Sequence, residues 1–246
     1  LASNLQRVLF AVSDKPTTYS ITGILFSFNK KLDGNFEFVG TDAHRMGIAT
    51  VKPNVSPTNS IAEDIQNTSS LSFVVPSKFL SNISSLILDS EVDMKISESF
   101  VKLDFSNLEV YGRLLINTFP DYSRIVPNTS CSLTVSKSEI IKSIERAMLF
   151  LSQTIRSIHI MATKNTMEVS CSNSQSGEAN DSITLKDAVS VPFDLHFNAD
   201  GLIEIFKHID SEFIVIKYNE SDVKAIVVED ATNKNYLYVM SIIAKR

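Results

Sequence analysis

Leu71-Ser72-Phe73-Val74-Val75-Pro76-Ser77-Lys78-Phe79-Leu80-Ser81-Asn82-Ile83 changes its apolar rhythm in the middle. Up to Pro76 it is a short, dense apolar run, the pattern of a strand. Beyond Pro76 the apolar residues Phe79, Leu80, Ile83 and Leu86-Ile87 fall on one helical face, with serines elsewhere. The spacing therefore predicts a strand over 71–76 feeding a helix over 76–88. Three more apolar runs follow, over 92–97, 100–105 and 108–116, and they alternate as the strands of a meander. One strand, one helix and three strands make a unit, and the remaining chain is read by looking for it again.

Working outward, the unit recurs on both sides. Upstream, Leu5, Val8, Leu9 and Val12 have the i, i+3, i+4, i+7 spacing of an amphipathic helix over 5–12, with Asn4 as its expected N-cap and Ser13-Asp14-Lys15-Pro16 as its end. Strands are expected over 19–29, 35–40 and 46–52, a turn over 32–35, and a polar loop over 53–70. Downstream, a strand over 132–135 leads to a helix over 136–152. Ser136-Lys137-Ser138-Glu139 has the form of a capping box at its start, and Ile140-Ile141, Ile144 and Met148-Leu149 form its apolar stripe. Strands over 155–162, 166–172 and 178–185 complete this round. The fourth has a strand over 193–197, a helix over 198–209, and strands over 212–218, 223–229 and 236–243. Four rounds, two to a domain, predict an α+β fold of two tandem domains, 1–127 and 128–246, with helices on one face of antiparallel sheets. The first round lacks its leading strand, so the chain is expected to begin inside a larger protein.

The totals exclude several functions. The 246 residues are 43% hydrophobic and 21% charged, which is globular composition of a size for one large or two medium domains. A net charge of −5 argues against a protein that coats nucleic acid with its whole surface, though not against a local basic patch. With only 7 glycines there is no glycine-rich phosphate loop. The two cysteines, Cys131 and Cys171, are unpaired in sequence, and the 4 histidines are scattered, so no zinc site or other cofactor site is expected. Both thiols read as small buried apolar residues. The N-x-[ST] triplets at Asn54, Asn67, Asn82, Asn128 and Asn219 are chance matches in a Ser- and Asn-rich chain. No run of membrane-spanning length and no signal-like start is present, so the expected location is the cytoplasm. No G-x-S-x-G, metal-spaced His pair or activated Cys marks an enzyme, and Asp42 with His44 has no designated Ser to serve.

Two stretches stand out as functional. Thr41-Asp42-Ala43-His44-Arg45-Met46 is a polar tip between two strands and holds the only His-Arg pair in the chain. Phe119-Pro120-Asp121-Tyr122-Ser123-Arg124-Ile125-Val126-Pro127, with a proline near each end, reads as a stiff extended linker. A rigid polar tip of this kind grips a carboxylate, a phosphate or a peptide backbone. Read as ordinary structure, His44 is a capped turn residue, Arg124 pairs with Asp121, and Ile21, Met46 and Ile155 are core.

These motifs, in order along the whole chain, resemble those of the bacterial DNA polymerase III sliding clamp, the β subunit. The tip resembles T-D-G-H-R-L, Val74-Val75-Pro76-Ser77-Lys78 resembles V-P-R-K, and Phe119-Pro120-Asp121-Tyr122-Ser123-Arg124 resembles F-P-D-Y-R-R. Tyr19-Ser20-Ile21-Thr22-Gly23-Ile24-Leu25-Phe26 resembles Y-x-L-N-G-x-L-F, and Phe197-Asn198 and the closing segment from Tyr236 to Met240 also fit. The resemblance implies the second and third domains of a three-domain protomer. Three departures stand out: Ala43 for glycine, Gly201 where many clamps carry an aromatic, and Met240-Ser241-Ile242-Ile243-Ala244-Lys245-Arg246 in place of M-P-M-R-L.

The resemblance also implies a function. In the family, two protomers close head-to-tail into a ring with helices inside, holding double-stranded DNA without reading its sequence. Members act as processivity factors and are not enzymes. On this chain the DNA-facing residues would be Lys15, Tyr19, Ser20, Lys78, Lys142 and Arg146. Arg7 and Lys137 also lie on the helices, and ordinary solvated helix charge is the plainer reading of them all. The family docks linear peptides of the DNA polymerase III catalytic subunit, the clamp loader and repair polymerases in a groove between its second and third domains. By motif, the lining would be Ile21, Thr41, Ala43, His44, Arg45, Met46, Pro120, Arg124, Ile125, Ile155, Asn198, Val223, Val239, Met240 and Ser241. Methionine and aliphatic side chains would give a deformable floor, and His44, Arg45, Arg124 and Asn198 a polar rim. A full-length homodimer with no membrane association is implied. The alternative is a two-domain peptide-binding scaffold that does not encircle DNA.

Overall fold

The computed structural model describes residues 2–15, 17, 19–29, 35–52, 70–87, 92–105 and 108–244. Pro16, most of the expected turn over 32–35, and the loop over 53–69 with Asn54 and Asn67 lie outside the described residues. So do the side chains of Leu86 and Ile87. The chain separates into two compact units, Leu1–Asp121 and Tyr122–Arg246.

The first unit opens on helix α1 (Ala2–Leu9), which buries Ala2, Leu5 and Val8. Asn4 is inside this helix and does not cap it, a correction to the sequence reading: the apolar spacing carries the helix back past the Asn. Strands β1 (Gly23–Asn29), β2 (Phe36–Thr41) and β3 (Arg45–Val51) follow, then β4 (Ser70–Pro76), helix α2 (Ser77–Ile87), and β5 (Asp93–Ile96), β6 (Phe100–Phe105) and β7 (Leu108–Arg113). They form two antiparallel sheets, in the orders β4-β1-β2-β3 and β5-β6-β7. Helix α1 packs on β2 and β3, and α2 on β4 and β1, so both helices share one side. The core is aromatic: the Phe26 ring stacks on Phe73 at 5.1 Å and meets the edge of Phe38 at 4.8 Å. β1 is shorter than expected, because residues 19–22 turn.

Glycine sets how closely α1 lies on the sheet. A β-carbon on Gly40 would sit 2.4 Å from the Val8 carbonyl oxygen, inside any allowed contact. Only hydrogen at that position of β2 lets the helix backbone come so near.

The second unit begins with a short 3₁₀ turn over Tyr122–Arg124, closed by the Ile125 amide donating to the Tyr122 carbonyl at 3.0 Å. The expected extended linker is therefore bent in its middle. Proline restrains itself and its predecessor, and residues 121–125, which neither are proline nor precede one, escape that restraint. Strand β8 (Cys131–Ser136) and helix α3 (Lys137–Met148) come next. Ser136 holds the N-cap position, but its side chain caps no helix amide, so the capping box is not made. Its hydroxyl lies 3.3 Å from that of Ser138 instead.

The four strands expected between 155 and 197 are two long ones, β9 (Ser157–Asn173) and β10 (Gly177–Asn198). They pair antiparallel, with register shifts between Thr184 and Val189 and again between Val189 and Phe193, opposite Lys164 at φ 51°. The predicted breaks are bulges in one ribbon, where extra residues of β10 bow out. Helix α4 (Ala199–Lys207) and strands β11 (Phe213–Tyr218), β12 (Ala225–Asp230) and β13 (Tyr236–Ser241) complete the unit, with sheet order β13-β12-β11-β8. Helices α3 and α4 touch each other and pack on the strands. Phe193 meets the edge of Tyr218 at 4.9 Å, and the Tyr218 hydroxyl donates to the Val191 carbonyl at 2.6 Å. Cys131 is half-buried rather than core, and Cys171 is buried; neither is in a disulfide. Burial pushes the Cys171 thiol's pKa up.

The two units therefore repeat one plan, helices gathered on one face of antiparallel sheets, as the apolar rhythm predicts.

Candidate functional site

In the first unit, the β2–β3 hairpin holds the tip rigidly. Asp42 Oδ1 accepts from the His44 and Arg45 amides, both at 2.9 Å, and Oδ2 accepts from Arg45 Nε at 3.1 Å. Thr41 Oγ1 accepts from the Ala43 amide at 3.1 Å and donates to the Arg45 carbonyl at 2.7 Å. This is an Asx-type turn with its carboxylate fully committed to backbone and guanidinium. Ala43 takes φ 74°, in the left-handed region. Arg45 reaches inward: its Nη2 donates to the Phe10 carbonyl at 3.0 Å, and its guanidinium lies over the Phe10 ring at 5.3 Å. The His44 ring is left exposed at the tip.

The other first-unit residues gather nearby. The Ser13 amide donates to both Ile21 and Thr41 carbonyls, at 3.0 and 3.2 Å, which sets Ile21 beside the hairpin. The Ser20 amide donates to the Thr118 carbonyl at 3.1 Å, drawing in the segment that leads to Pro120. Ile21, Thr41 and Met46 are buried, Arg45 and Pro120 half-buried, and Ala43 and His44 exposed.

In the second unit, the start of β9, the start of α4 and the end of β13 meet at one corner. Asn198 caps α4, its Oδ1 accepting from the Gly201 amide at 3.0 Å. A β-carbon on Gly201 would lie 3.0 Å from Met240 Cε and 3.7 Å from Asn198 Oδ1. The methionine therefore lies across the first turn of α4, in space a side chain at 201 would fill. Arg156 makes a two-pronged ion pair with Asp200, 2.6 Å on each arm, and accepts the Ala199 amide at its carbonyl at 2.8 Å. That clasp holds the backbone beside Ile155, whose side chain is 64% exposed. Beyond β13, the Ile242 amide donates to the Lys224 carbonyl at 3.1 Å and the Ile243 amide to the His196 carbonyl at 2.8 Å. The first of these ties Ser241 to the same end as half-buried Val223. Val239 and Met240 are buried, and Arg124 and Ile125 are exposed. The Arg156–Asp200 clasp has no signal in the sequence, since its partners are 44 residues apart.

The residues expected to face DNA divide in two. Lys15, Lys78 and Lys142 are exposed, and their side chains make no hydrogen bond or ion pair among the described residues. Tyr19 is 53% exposed and lines a cavity of about 460 Å³ with Arg113, Ile116 and Asn117. Ser20 lines it too but turns inward: it is 3% exposed and its hydroxyl donates to the Asn117 carbonyl at 2.6 Å. Arg146 is occupied by Asp181. Among the described residues no group of three or more His, Cys, Asp or Glu is placed to hold a metal ion, and no helix is long and apolar enough to cross a membrane.

Comparison with known proteins agrees with this architecture. Residues 1–121 match the family model for the DNA polymerase III beta subunit, central domain, and residues 123–243 that for its C-terminal domain. The chain is 23% identical over 256 residues to a beta sliding clamp of Rickettsia bellii, covering 98% of this chain and 64% of the relative. It is 22% identical over 240 residues to that of Caulobacter vibrioides, covering 96% and 61%. The crystal structure of the DNA polymerase III subunit beta from Pseudomonas aeruginosa has the same fold, with a TM-score of 0.87 at 18% identity over 99% of this chain and 63% of that one. The chain thus spans less than two thirds of the length of the relatives it matches. Two family models in the right order, one on each compact unit, account for nearly all of it, and the chain belongs to the DNA polymerase III beta subunit family, the beta sliding clamps.

Proposed function

We propose that this chain serves as a DNA sliding clamp: a non-catalytic processivity factor of the replicative polymerase that encircles duplex DNA as a head-to-tail dimer ring in the cytoplasm. We further propose that it docks linear peptides of the polymerase, the clamp loader and repair polymerases. Family membership over both units is the observation that carries the reading. A ring needs no base readout and only mild attraction to phosphates, which suits a net charge of −5 relieved by the exposed lysines Lys15, Lys78 and Lys142. Asp42 is spent on its own turn, so it activates no nucleophile through His44.

For the peptide, the first unit would offer the His44 tip with Ile21, Thr41, Ala43, Arg45, Met46 and Pro120. The second would offer Arg124, Ile125, Ile155, Asn198, Val223, Val239, Met240 and Ser241. Apolar floors of methionine and isoleucine accept a Leu or Phe anchor without demanding one shape. The test is calorimetry with a peptide of the type Gln-x-x-Leu-Phe. Wild type is expected to bind, and a protein carrying both Met240→Ala and Arg124→Ala to bind at least about tenfold more weakly, the loss of one well-placed apolar contact or charged hydrogen bond. Equal binding by the two proteins would overturn peptide docking at these residues.

A further inference from the structure

Helix α3 carries three cations: Lys137 is half-buried, its Nζ donating to the Ile209 carbonyl, and Lys142 and Arg146 lie one turn apart and differ in what they touch. Lys142 is exposed and unpaired among the described residues. Arg146 is folded onto Asp181 of β10: its Nε donates to Asp181 Oδ2 at 2.9 Å, and its Nη2 contacts the same oxygen. The clasp is built into the fold. Ser143, 1% exposed, donates from its hydroxyl to Asp181 Oδ2 at 2.6 Å and accepts from Arg146 Nη2 at 3.2 Å. The Ser182 amide holds Oδ1 at 3.1 Å. The remaining exposed charges on α3 are acidic, Glu139 and Glu145, and Glu145 pairs with Lys207 of α4 at 3.3 Å.

We propose that Asp181 is a positioning residue that withholds the Arg146 charge from DNA, leaving Lys142 as the one exposed cation of α3 outside an ion pair and so keeping the grip loose enough to slide. This rests on the reading of the chain as a DNA clamp. The physical reason is counterion release. Each phosphate neutralised steepens the dependence of log affinity on log salt by about 0.9, and strengthens binding at low salt accordingly. A guanidinium fixed on a carboxylate contributes little to that sum. Its side chain is still 55% exposed, so loss of the carboxylate charge frees it to reach a phosphate.

The test is fluorescence anisotropy of a short labelled duplex with the whole chain, titrated over a series of salt concentrations, with thermal melting as a control for folding. Asp181→Asn keeps an acceptor for Ser143 but removes the charge. It is expected to tighten binding about threefold to tenfold at low salt and to steepen the salt slope by about 0.9. Adding Arg146→Ala to it returns both to wild type. Arg146→Ala alone changes neither, and this arm stands even if Asp181→Asn lowers the melting temperature. Glu178→Gln on the same strand removes an equal charge that has no cation partner among the described residues, and leaves the slope unchanged. Lys142→Ala makes the slope shallower by about 0.9. The proposal is overturned if Asp181→Asn leaves the slope at the wild-type value while Lys142→Ala lowers it, or if Arg146→Ala weakens binding as Lys142→Ala does. Salt-independent or absent duplex binding by every variant would instead overturn the DNA reading, and this inference with it.

Discussion

Single residues show where this chain departs from comfortable chemistry. Ala43 sits at φ 74°, where its β-carbon crowds its own backbone. The turn around it is held by Asp42 and Thr41, so the strain is sustained by neighbouring hydrogen bonds and not relieved. An L-residue there costs about 1–2 kcal/mol against glycine, less what glycine loses in the unfolded chain. Ala43→Gly is therefore expected to stabilise the first unit by about 1 kcal/mol, read as a higher denaturant midpoint with an unchanged slope. Asp230 is the opposite case, a buried carboxylate with every reason to stay charged. Burial opposes its ionisation, but the amides of Ser211, Thr232 and Asn233 and the Thr232 hydroxyl outweigh it and hold the pKa far below the usual carboxylate range. Asp181 is shifted the same way, by Ser143 first and Arg146 second. A lowered folded-state pKa gives stability that is complete above the unfolded value, about 3.9, and drains away as pH falls toward the folded value. Acid titration of the wild type should thus show stability declining below about pH 4. Asp230→Asn should be less stable at pH 7 by about 2–3 kcal/mol and show a shallower acid limb. An acid limb equal to wild type would mean that other carboxylates carry it.

Elements were legible to the degree that their apolar rhythm is local. Helix α2 and strands β4 and β6 read directly, because Leu80 and Ile83 recur on one face and Val101, Leu103 and Phe105 alternate. The long ribbon of β9 and β10 did not read as two strands, since bulges opposite Lys164 interrupt the alternation while the pairing runs on. Asn4 falls inside α1, and Ser136 holds the N-cap position of α3 but turns its hydroxyl to Ser138, a choice of partner that the side-chain pattern does not carry. Asn198 does cap α4, so Asn198→Ala is expected to cost about 1 kcal/mol in thermal unfolding. The candidate site was legible only as motifs. Burial separates its exposed members, His44, Ile155 and Arg124, from Met46 and Met240, and burial is a property of partners far off in sequence. The fit of α1 on β2 is likewise invisible until coordinates place Gly40 under Val8. A β-carbon 2.4 Å from a backbone oxygen cannot be accommodated by a rotamer change, so the helix must lift. Gly40→Ala should destabilise the first unit by about 2–3 kcal/mol, in the range of overpacked cores, with the loss seen in α1 by hydrogen exchange before it is seen in the β5-β6-β7 sheet.

For the whole molecule, the decisive quantity is how few of the cations expected to face DNA are free. The chain has 23 basic and 28 acidic residues. Many of the basic ones are committed: Arg45 to Asp42, Arg146 to Asp181, Arg156 to Asp200, Lys102 to Glu109, and Lys217 and Lys234 to Glu229. Of the cations expected to face DNA, Lys15, Lys78 and Lys142 remain unpaired among the described residues. A protein that gripped DNA by charge would need many more, since a tight binder neutralises about 6–10 phosphates. One that holds DNA by topology needs few, and a strong grip would only slow its sliding. The expectation is that the chain binds a linear duplex weakly and without sequence preference, with a log–log salt slope of about −3 or shallower, one phosphate for each of these three lysines. Removing all three lysines should bring that slope close to zero while leaving the melting temperature within a few degrees, because none of them supports the fold. A wild-type slope of about −6 or steeper, or a slope that survives the triple substitution, would place the phosphate contacts elsewhere on the surface, with Arg113 beside the Tyr19 cavity as the next cation to replace.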